Sequence, residues 1–287
     1  MSSDAGLLDP PLDLLFEGPA LPRFDLPESL TAAYAGSLGF GAPRLFANFV
    51  SSVDGVVALP DGGESGHIVS QGSLADRFVM GLLRACADAV IVGAGTFRKS
   101  PGQLWYPEAI YPPAAAAFAE ARTRRGLPPK PAFVLVTGSG AVDATEPALR
   151  DAIVATTAAG AERLRAQLPP TTRLLVLDAS PIRLTELVAR LHSEGLYVLL
   201  TEGGPSLVAE LVAGALLDEL FLTLSPSLFG RWEGDRRKSL ANGVDLAGTT
   251  MDLLSVRRHG SHAFLRYAVR PPAPVGPQTH NLAIACE

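Results

Sequence analysis

Two carboxylates stand where this chain would meet a ligand: Asp54 in "SSVDGVV" and Glu202 in "LLTEGGPSL". A half-buried carboxyl holds its proton to higher pH than a solvated one, so each is a candidate acid or base near neutrality. Glycines mark three strand ends around them. Gly93 and Gly95 lie in "VIVGAGTFRKS", with Thr96, Arg98 and Lys99 close behind; Thr137 and Ser139 lie in "VLVTGSG"; Gly203 and Gly204 open "GGPSL", followed by Pro205, Ser206 and Leu207. Adjacent glycines weaken both a strand and a helix, so a bare backbone at these points signals close approach by something else. In open α/β sheets a ligand sits at the carboxyl ends of the strands, where helix N-termini leave N–H groups unpaired. Three such ends in one sheet suit a long, phosphate-bearing molecule, and a dinucleotide has that length. Each piece also has a plainer reading. Asp54 with Gly55 is a common turn pair, Glu202 suits the first turn of the helix after it, and "VGAGT" can be a tight strand-to-helix turn. Trp105 and Tyr106, on the proline-bracketed "GQLWYPE", either pack that loop down or wall a flat substrate.

Holding these groups together requires a sheet. "RLFANFV" (44–50) alternates like a strand, and "ADAVIVG" (87–93), "AFVLVTG" (132–138), "DAIVATT" (151–157), "RLLVLDA" (173–179) and "LYVLLTE" (196–202) are near-continuous apolar runs. Such runs are what strands covered on both faces look like. Helix-length stretches at 71–86, 114–125, 160–168, 183–193 and 205–214 separate them, which predicts an α/β domain with a mainly parallel central sheet flanked by helices. The end of the chain changes character. Residues 218–226, 251–260 and 262–270 read as strands with no helix between them, and "RRHGSH" reads as a hairpin turn, so the sheet should finish with antiparallel strands.

The chain has 287 residues, 47% of them apolar, enough for a sizeable core. Charged residues are 18% and the net charge of −5 is spread along the sequence, which argues against nucleic acid and for a small-molecule ligand. The separation of Cys86 and Cys286 indicates no disulfide framework, and the histidines show no metal spacing, so no metal is expected. "MSSDAGLLDP" has acids where an export signal has bases, and no apolar run is long enough to span a bilayer. These features predict a cytoplasmic protein with no membrane partner. Residues 1–43 read as an N-terminal arm packed on the domain, 44–270 as the domain, and 271–287 as a Pro-rich tail.

A Rossmann reading of "GAGTFR" fits poorly, because the third glycine of the fingerprint is missing and no acidic residue closes a strand about twenty positions later. Taken together, "ANFVSSVDG" (47–55), "LLRACADAVIVGAGTFR" (82–98) and "LLTEGGPSLVAELVAGALLDELFLTLSP" (199–226) resemble the reductase domain of bacterial riboflavin biosynthesis, which shares the dihydrofolate reductase fold. The pattern looks closest to stand-alone pyrimidine reductase-like members, since no zinc-deaminase motif accompanies it. The resemblance implies an NADPH-dependent oxidoreductase of a small heterocycle. Foremost is the 5-amino-6-(5-phosphoribosylamino)uracil type of reduction, ribosyl to ribityl; reduction of dihydrofolate or a pterin, and a non-catalytic NADPH sensor, are the alternatives.

The same resemblance implies residue roles. Gly93, Gly95 and Thr96 would approach the cofactor pyrophosphate, and Thr137 and Ser139 the ribose 2′-phosphate, with Arg98 or Lys99 adding charge. Gly203 and Gly204 would be joined by a cis peptide, with Pro205, Ser206 and Leu207 continuing along the cofactor. Hydride transfer to a C=N or C=O carbon is assisted by a proton on the heteroatom, which makes Asp54 and Glu202 the candidate catalytic pair. Asn48, Ser51, Ser52, Ser70 and Trp105 are then candidate substrate contacts. Family members typically carry a lysine where this chain has Val56 and an arginine in the loop matching 101–107, both toward the substrate phosphate; Arg77 or Arg122 are the bases available to replace them. A homodimer is a further implication.

Overall fold

In a computed structural model, residues 6–60 and 65–270 are described, so the tail expected at 271–287 lies outside the described residues. The chain runs β1 (Asp13–Glu17), α1 (Glu28–Tyr34), β2 (Arg44–Ser52), α2 (Ser65–Val69), α3 (Leu74–Cys86), β3 (Ala89–Gly93), α4 (Ala94–Arg98), α5 (Pro107–Ile110), α6 (Ala115–Arg124), β4 (Ala132–Thr137), β5 (Ile153–Thr156) and α7 (Ala158–Leu164). It continues through β6 (Arg173–Val176), α8 (Leu184–Ser193), β7 (Val198–Thr201), α9 (Pro205–Ala213), β8 (Glu219–Ser225), β9 (Met251–His259) and β10 (His262–Val269). The helices lie close to where the periodicity puts them. The one expected at 160–168 begins earlier, because the Thr157 hydroxyl accepts from Gly160 N at 3.2 Å and so caps the helix from position 157.

Among the described residues all strands join one sheet, in the order β1-β9-β10-β8-β2-β7-β3-β4-β5-β6. From β8 to β6 every neighbouring pair is parallel, and β10, β9 and β1 add antiparallel strands at the other end. The expected hairpin is present, with His262 opposite His259 and Gly260 turning at φ +56°. Apolar runs without alternation demand cover on both faces, and the sheet receives it. Phe46, Val90, Phe133 and Leu200 face Phe78, Leu82 and Phe118 of α3 and α6. Leu45, Ala47, Ile91 and Leu199 face Leu187 and Leu191 of α8 and Val208 and Leu211 of α9.

Residues before β2 do more than pack on this frame. Strand β1 pairs with β9 at the sheet edge, and Leu30, Tyr34, Leu38 and Phe40 are buried, with Phe40 stacked on Phe46 at 4.4 Å. Two buried arginines of the closing hairpin hold the segment. Arg257 donates to Glu17 Oε2 at 2.6 Å and Tyr34 O at 2.8 Å, and Arg266 donates to Glu219 Oε2 at 2.7 Å and Gly39 O at 2.9 Å. After β6 the chain returns to insert β7 between β2 and β3. The carboxyl ends of β2, β7 and β3 therefore lie side by side at a change of strand order, the place where such sheets bind ligands.

Candidate active site

At these three strand ends a cleft of about 570 Å³ opens. Asn48 reaches it from β2, His67 from α2, Asp76, Arg77 and Met80 from α3, Thr96 from α4, and Glu202 to Pro205 from the end of β7; Ser70 and the loop 99–105 complete the wall. Spacing explains α3: Asp76, Met80 and Arg84 recur every fourth residue and so share one helix face. Ser73 starts that helix, its hydroxyl accepting from Asp76 N at 3.2 Å.

Arg84 is fully buried. Its Nη2 donates to Glu202 Oε2 at 2.6 Å, its Nε to both carboxylate oxygens at 3.0 and 3.2 Å, and its Nη1 to Leu104 O and Tyr106 O at 3.4 and 3.3 Å. One guanidinium thus ties α3 to the end of β7 and to the 101–107 loop. Removing one partner of such a buried pair costs about 3–5 kcal/mol, because the other charge stays uncompensated. Asp76 is buried as well. Burial, with the Glu202 charge adding to it, pushes its carboxyl up to about 6, against the lowering effect of a Thr223 hydrogen bond and the Arg77 charge. The cleft therefore combines a carboxylate fixed by an ion pair, a carboxyl that exchanges its proton near neutrality, and cations at the wall.

Asp54 is a correction to the sequence-based expectation. It does not line the cleft but sits exposed in the turn after β2. The Ser52 hydroxyl donates to it at 2.5 Å, Gly230 N at 2.7 Å and Phe229 N at 3.2 Å. These bonds, the Ser52 hydroxyl foremost, hold its carboxyl below the usual value, the reverse of the raised one expected. Ser51 and Ser52 are also spent locally rather than presented to a substrate. Ser51 Oγ donates to Ser52 O at 2.9 Å, and Ser52 Oγ accepts from Val56 N at 2.8 Å. Asn48 and Ser70 do line the cleft. Trp105 touches it but is only 2% exposed, stacked on Phe133 at 4.7 Å and on Phe97 at 5.8 Å, so packing the loop is its main work. Arg122 is a core residue, donating to Ala85 O and Ala87 O at 3.1 and 2.7 Å, and offers no charge to the cleft.

The glycine pair is a second correction. The Gly203–Gly204 peptide is trans; the cis bonds among the described residues precede Pro10, Pro43 and Pro181. Close packing accounts for the bare backbone instead. A Cβ on Gly203 would lie 2.4 Å from Leu207 Cδ2 and 3.2 Å from Thr201 Oγ1, and one on Gly204, the extended N-cap of α9, 3.1 Å from Thr96 Oγ1. Leu207 packs back on this turn, Ser206 is exposed, and Pro205 occupies the first helical position. A Cβ on Gly93, at the end of β3, would make only ordinary contact with Leu207 Cδ2 at 3.8 Å, and one on exposed Gly95 would meet nothing within 4 Å. Thr137 is buried, its hydroxyl accepting from Gly140 N at 3.1 Å, so it holds its turn rather than facing a ligand. Ser139 and Arg98 are exposed and meet at Ala141, whose N donates to Ser139 Oγ at 3.3 Å and whose O accepts from Arg98 Nη1 at 3.0 Å. Arg98 also borders a second hollow of about 490 Å³ with Arg163, Asp143 and Glu146.

Sequence reasoning misses Asp76 and Arg84. Their signal is an S-x-x-D capping pattern at Ser73 and an arginine on an otherwise apolar helix face, four residues past Met80.

Fold and cleft define an α/β protein built on one large, mainly parallel sheet with an antiparallel finish, and a candidate ligand site at the switch in strand order. A family model for the RibD C-terminal domain matches residues 43–265, and the chain belongs to that family. One relative is a 2,5-diamino-6-ribosylamino-4(3H)-pyrimidinone 5′-phosphate reductase of Archaeoglobus fulgidus, 27% identical over 191 residues that cover 66% of this chain and 82% of the relative. Among solved structures, a pyrimidine reductase-like protein of Corynebacterium diphtheriae superposes with a TM-score of 0.63 at 22% identity, covering 86% of this chain and 96% of that one. A riboflavin biosynthesis reductase of Saccharomyces cerevisiae gives a TM-score of 0.54 at 12% identity, covering 82% and 94%.

Proposed function

We propose that this chain is an NADPH-dependent oxidoreductase that reduces a ribosylamino-pyrimidine phosphate, ribosyl becoming ribityl, in riboflavin biosynthesis. The observation that carries the reading is the cleft itself: a polar floor of Asn48 and Asp76 lies beside a glycine-lined edge, and Arg77, Lys99 and His67 share its wall. Family membership and the activity named for the Archaeoglobus relative support it.

The residues present fit a dinucleotide, because Gly95 leaves open space where any side chain would stand and a Cβ on neighbouring Gly93 would meet only ordinary contact. Gly93, Gly95, Thr96, Gly204 and Ser206 would hold it, with Arg98 and Ser139 toward the 2′-phosphate. When bound, the cofactor supplies the hydride. The chain's own groups bind and orient. Asn48 and Ser70 position the heterocycle, and Arg77 and Lys99 offer the substrate phosphate the charge that Val56 and the 101–107 loop lack. Glu202 and Asp54 act by positioning: Glu202 anchors the wall through Arg84, and Asp54 pins the turn after β2 to the loop after β8. A cytoplasmic location and a homodimer belong to the same proposal, the latter supported by exposed Leu14, Leu15 and Phe16 on edge strand β1.

NADPH oxidation measured with the phosphoribosylamino-pyrimidine, its dephosphorylated form and dihydrofolate tests this. Turnover of the phosphorylated pyrimidine is expected. Combined Arg77→Ala and Lys99→Ala should raise its KM about tenfold or more, the loss of a charge-assisted bond, and leave the dephosphorylated form unaffected. Turnover of dihydrofolate alone would transfer the chemistry to another ring, and NADPH binding without any turnover would leave only the sensor reading.

A further inference from the structure

Hydride transfer alone does not complete the reduction. Reducing a carbon–nitrogen double bond adds a hydride at carbon and a proton at nitrogen, so the cleft needs a donor on the substrate side. Asp54 lies outside the cleft, and both Glu202 oxygens accept from Arg84.

We propose, resting on the proposed reductase function, that Asp76 is the catalytic acid, its carboxyl facing the cleft from the first turn of α3 and passing its proton to the substrate nitrogen. The carbon–nitrogen double bond of the opened ribosyl unit gains a hydride, with its electron pair, at carbon and the Asp76 proton at nitrogen. A reduced nicotinamide is the electron source and is oxidised; Asp76 is left as a carboxylate and regains its proton from water.

The surroundings favour the protonated form. Asp76 is buried yet belongs to the cleft wall, so a bound ligand is what it can meet. Thr223 faces it from β8, Glu202 from the end of β7, and Arg77 from its own helix α3, which also carries the Arg84 that pairs with Glu202. His67 and Lys99 stand elsewhere on the same wall. No ion pair among the described residues takes up its charge, while the Glu202 carboxylate opposes ionisation, which leaves the group with about 6 as its midpoint. A carboxyl at the start of a helix would ordinarily be ionised, favoured by the helix dipole. A buried acid kept from that state inside a cleft is the arrangement that proton-transfer sites use.

The test compares wild type, Asp76→Asn and Asp76→Glu by kcat against pH, by NADPH affinity, and by difference infrared spectroscopy of the protonated carboxyl band. Wild-type turnover should fall as pH rises above about 6, because only the protonated acid works. Asp76→Asn should lower kcat by about 10²–10⁴-fold, flatten that profile, remove a carboxyl band that titrates near 6 in the wild type, and leave NADPH affinity within twofold (~0.4 kcal/mol); Asp76→Glu should restore part of the rate. An Asp76→Asn protein with near wild-type kcat and an unchanged pH profile, a rise confined to KM, or no carboxyl band lost on substitution would overturn the proposal. Wild-type protein that reduces no pyrimidine overturns the substrate reading, whereas turnover that survives Asp76→Asn overturns the acid alone.

Discussion

Asp76 is a residue whose function and stability pull in opposite directions. Its folded value of about 6 lies above the ordinary 3.8, so the folded state binds this proton more tightly than the unfolded chain does. Below about pH 4 both states are protonated and the group contributes its full stability; between 4 and 6 the unfolded chain ionises first and stability falls; above 6 the loss is complete. The gap corresponds to about 3 kcal/mol as an upper figure. Asparagine keeps the shape without the charge. Asp76→Asn should therefore have a higher urea midpoint than wild type at pH 7.5, with the advantage shrinking toward nothing near pH 4. An advantage that does not change with pH would mean that Asp76 is not the titrating group. Asp76 is not legible in the sequence as a cleft acid, because the Glu202 charge that helps to shift it comes from an element more than a hundred positions away.

Among the elements, three short turns form the proposed cofactor edge, and their glycines serve different ends. Gly203 and Gly204 are glycine because α9 packs onto α4 and the end of β7; this cause is invisible in "TEGGP", which reads equally well as a ligand turn. Gly95 is the opposite case, open to solvent with nothing for a side chain to strike. Alanine there should leave the unliganded protein as stable as wild type or more so by up to about 1 kcal/mol, the helix-propensity difference. NADPH should nonetheless bind at least about tenfold more weakly, since only a ligand lying over that backbone would meet the new methyl. Titration calorimetry beside thermal unfolding checks both halves. Unchanged NADPH affinity would remove "VGAGT" from the cofactor site.

For the molecule as a whole, the parallel sheet, its glycine-rich ends and the antiparallel finish were legible because they are local patterns: apolar runs, helix-length gaps and a hairpin turn. What escaped is non-local. Residues 13–17 form a mostly exposed strand whose partner β9 lies at the far end of the chain, and Arg257 reaches Glu17 across 240 positions, which no periodicity records. The setting of Asp54 is non-local too, since its partners Phe229 and Gly230 come from the loop after β8. The topology that brings β2, β7 and β3 together is what makes the cleft, and reduction of a ribosyl carbon in that cleft is the central claim. Deuteride transfer tests it most directly: NADPH carrying deuterium at the nicotinamide C4 is incubated with the enzyme and the phosphoribosylamino-pyrimidine, and the product is read by mass spectrometry and NMR. The account predicts a ribityl product with one deuterium on the former anomeric carbon. Oxidised cofactor with an unlabelled, unreduced ribosyl unit would contradict it.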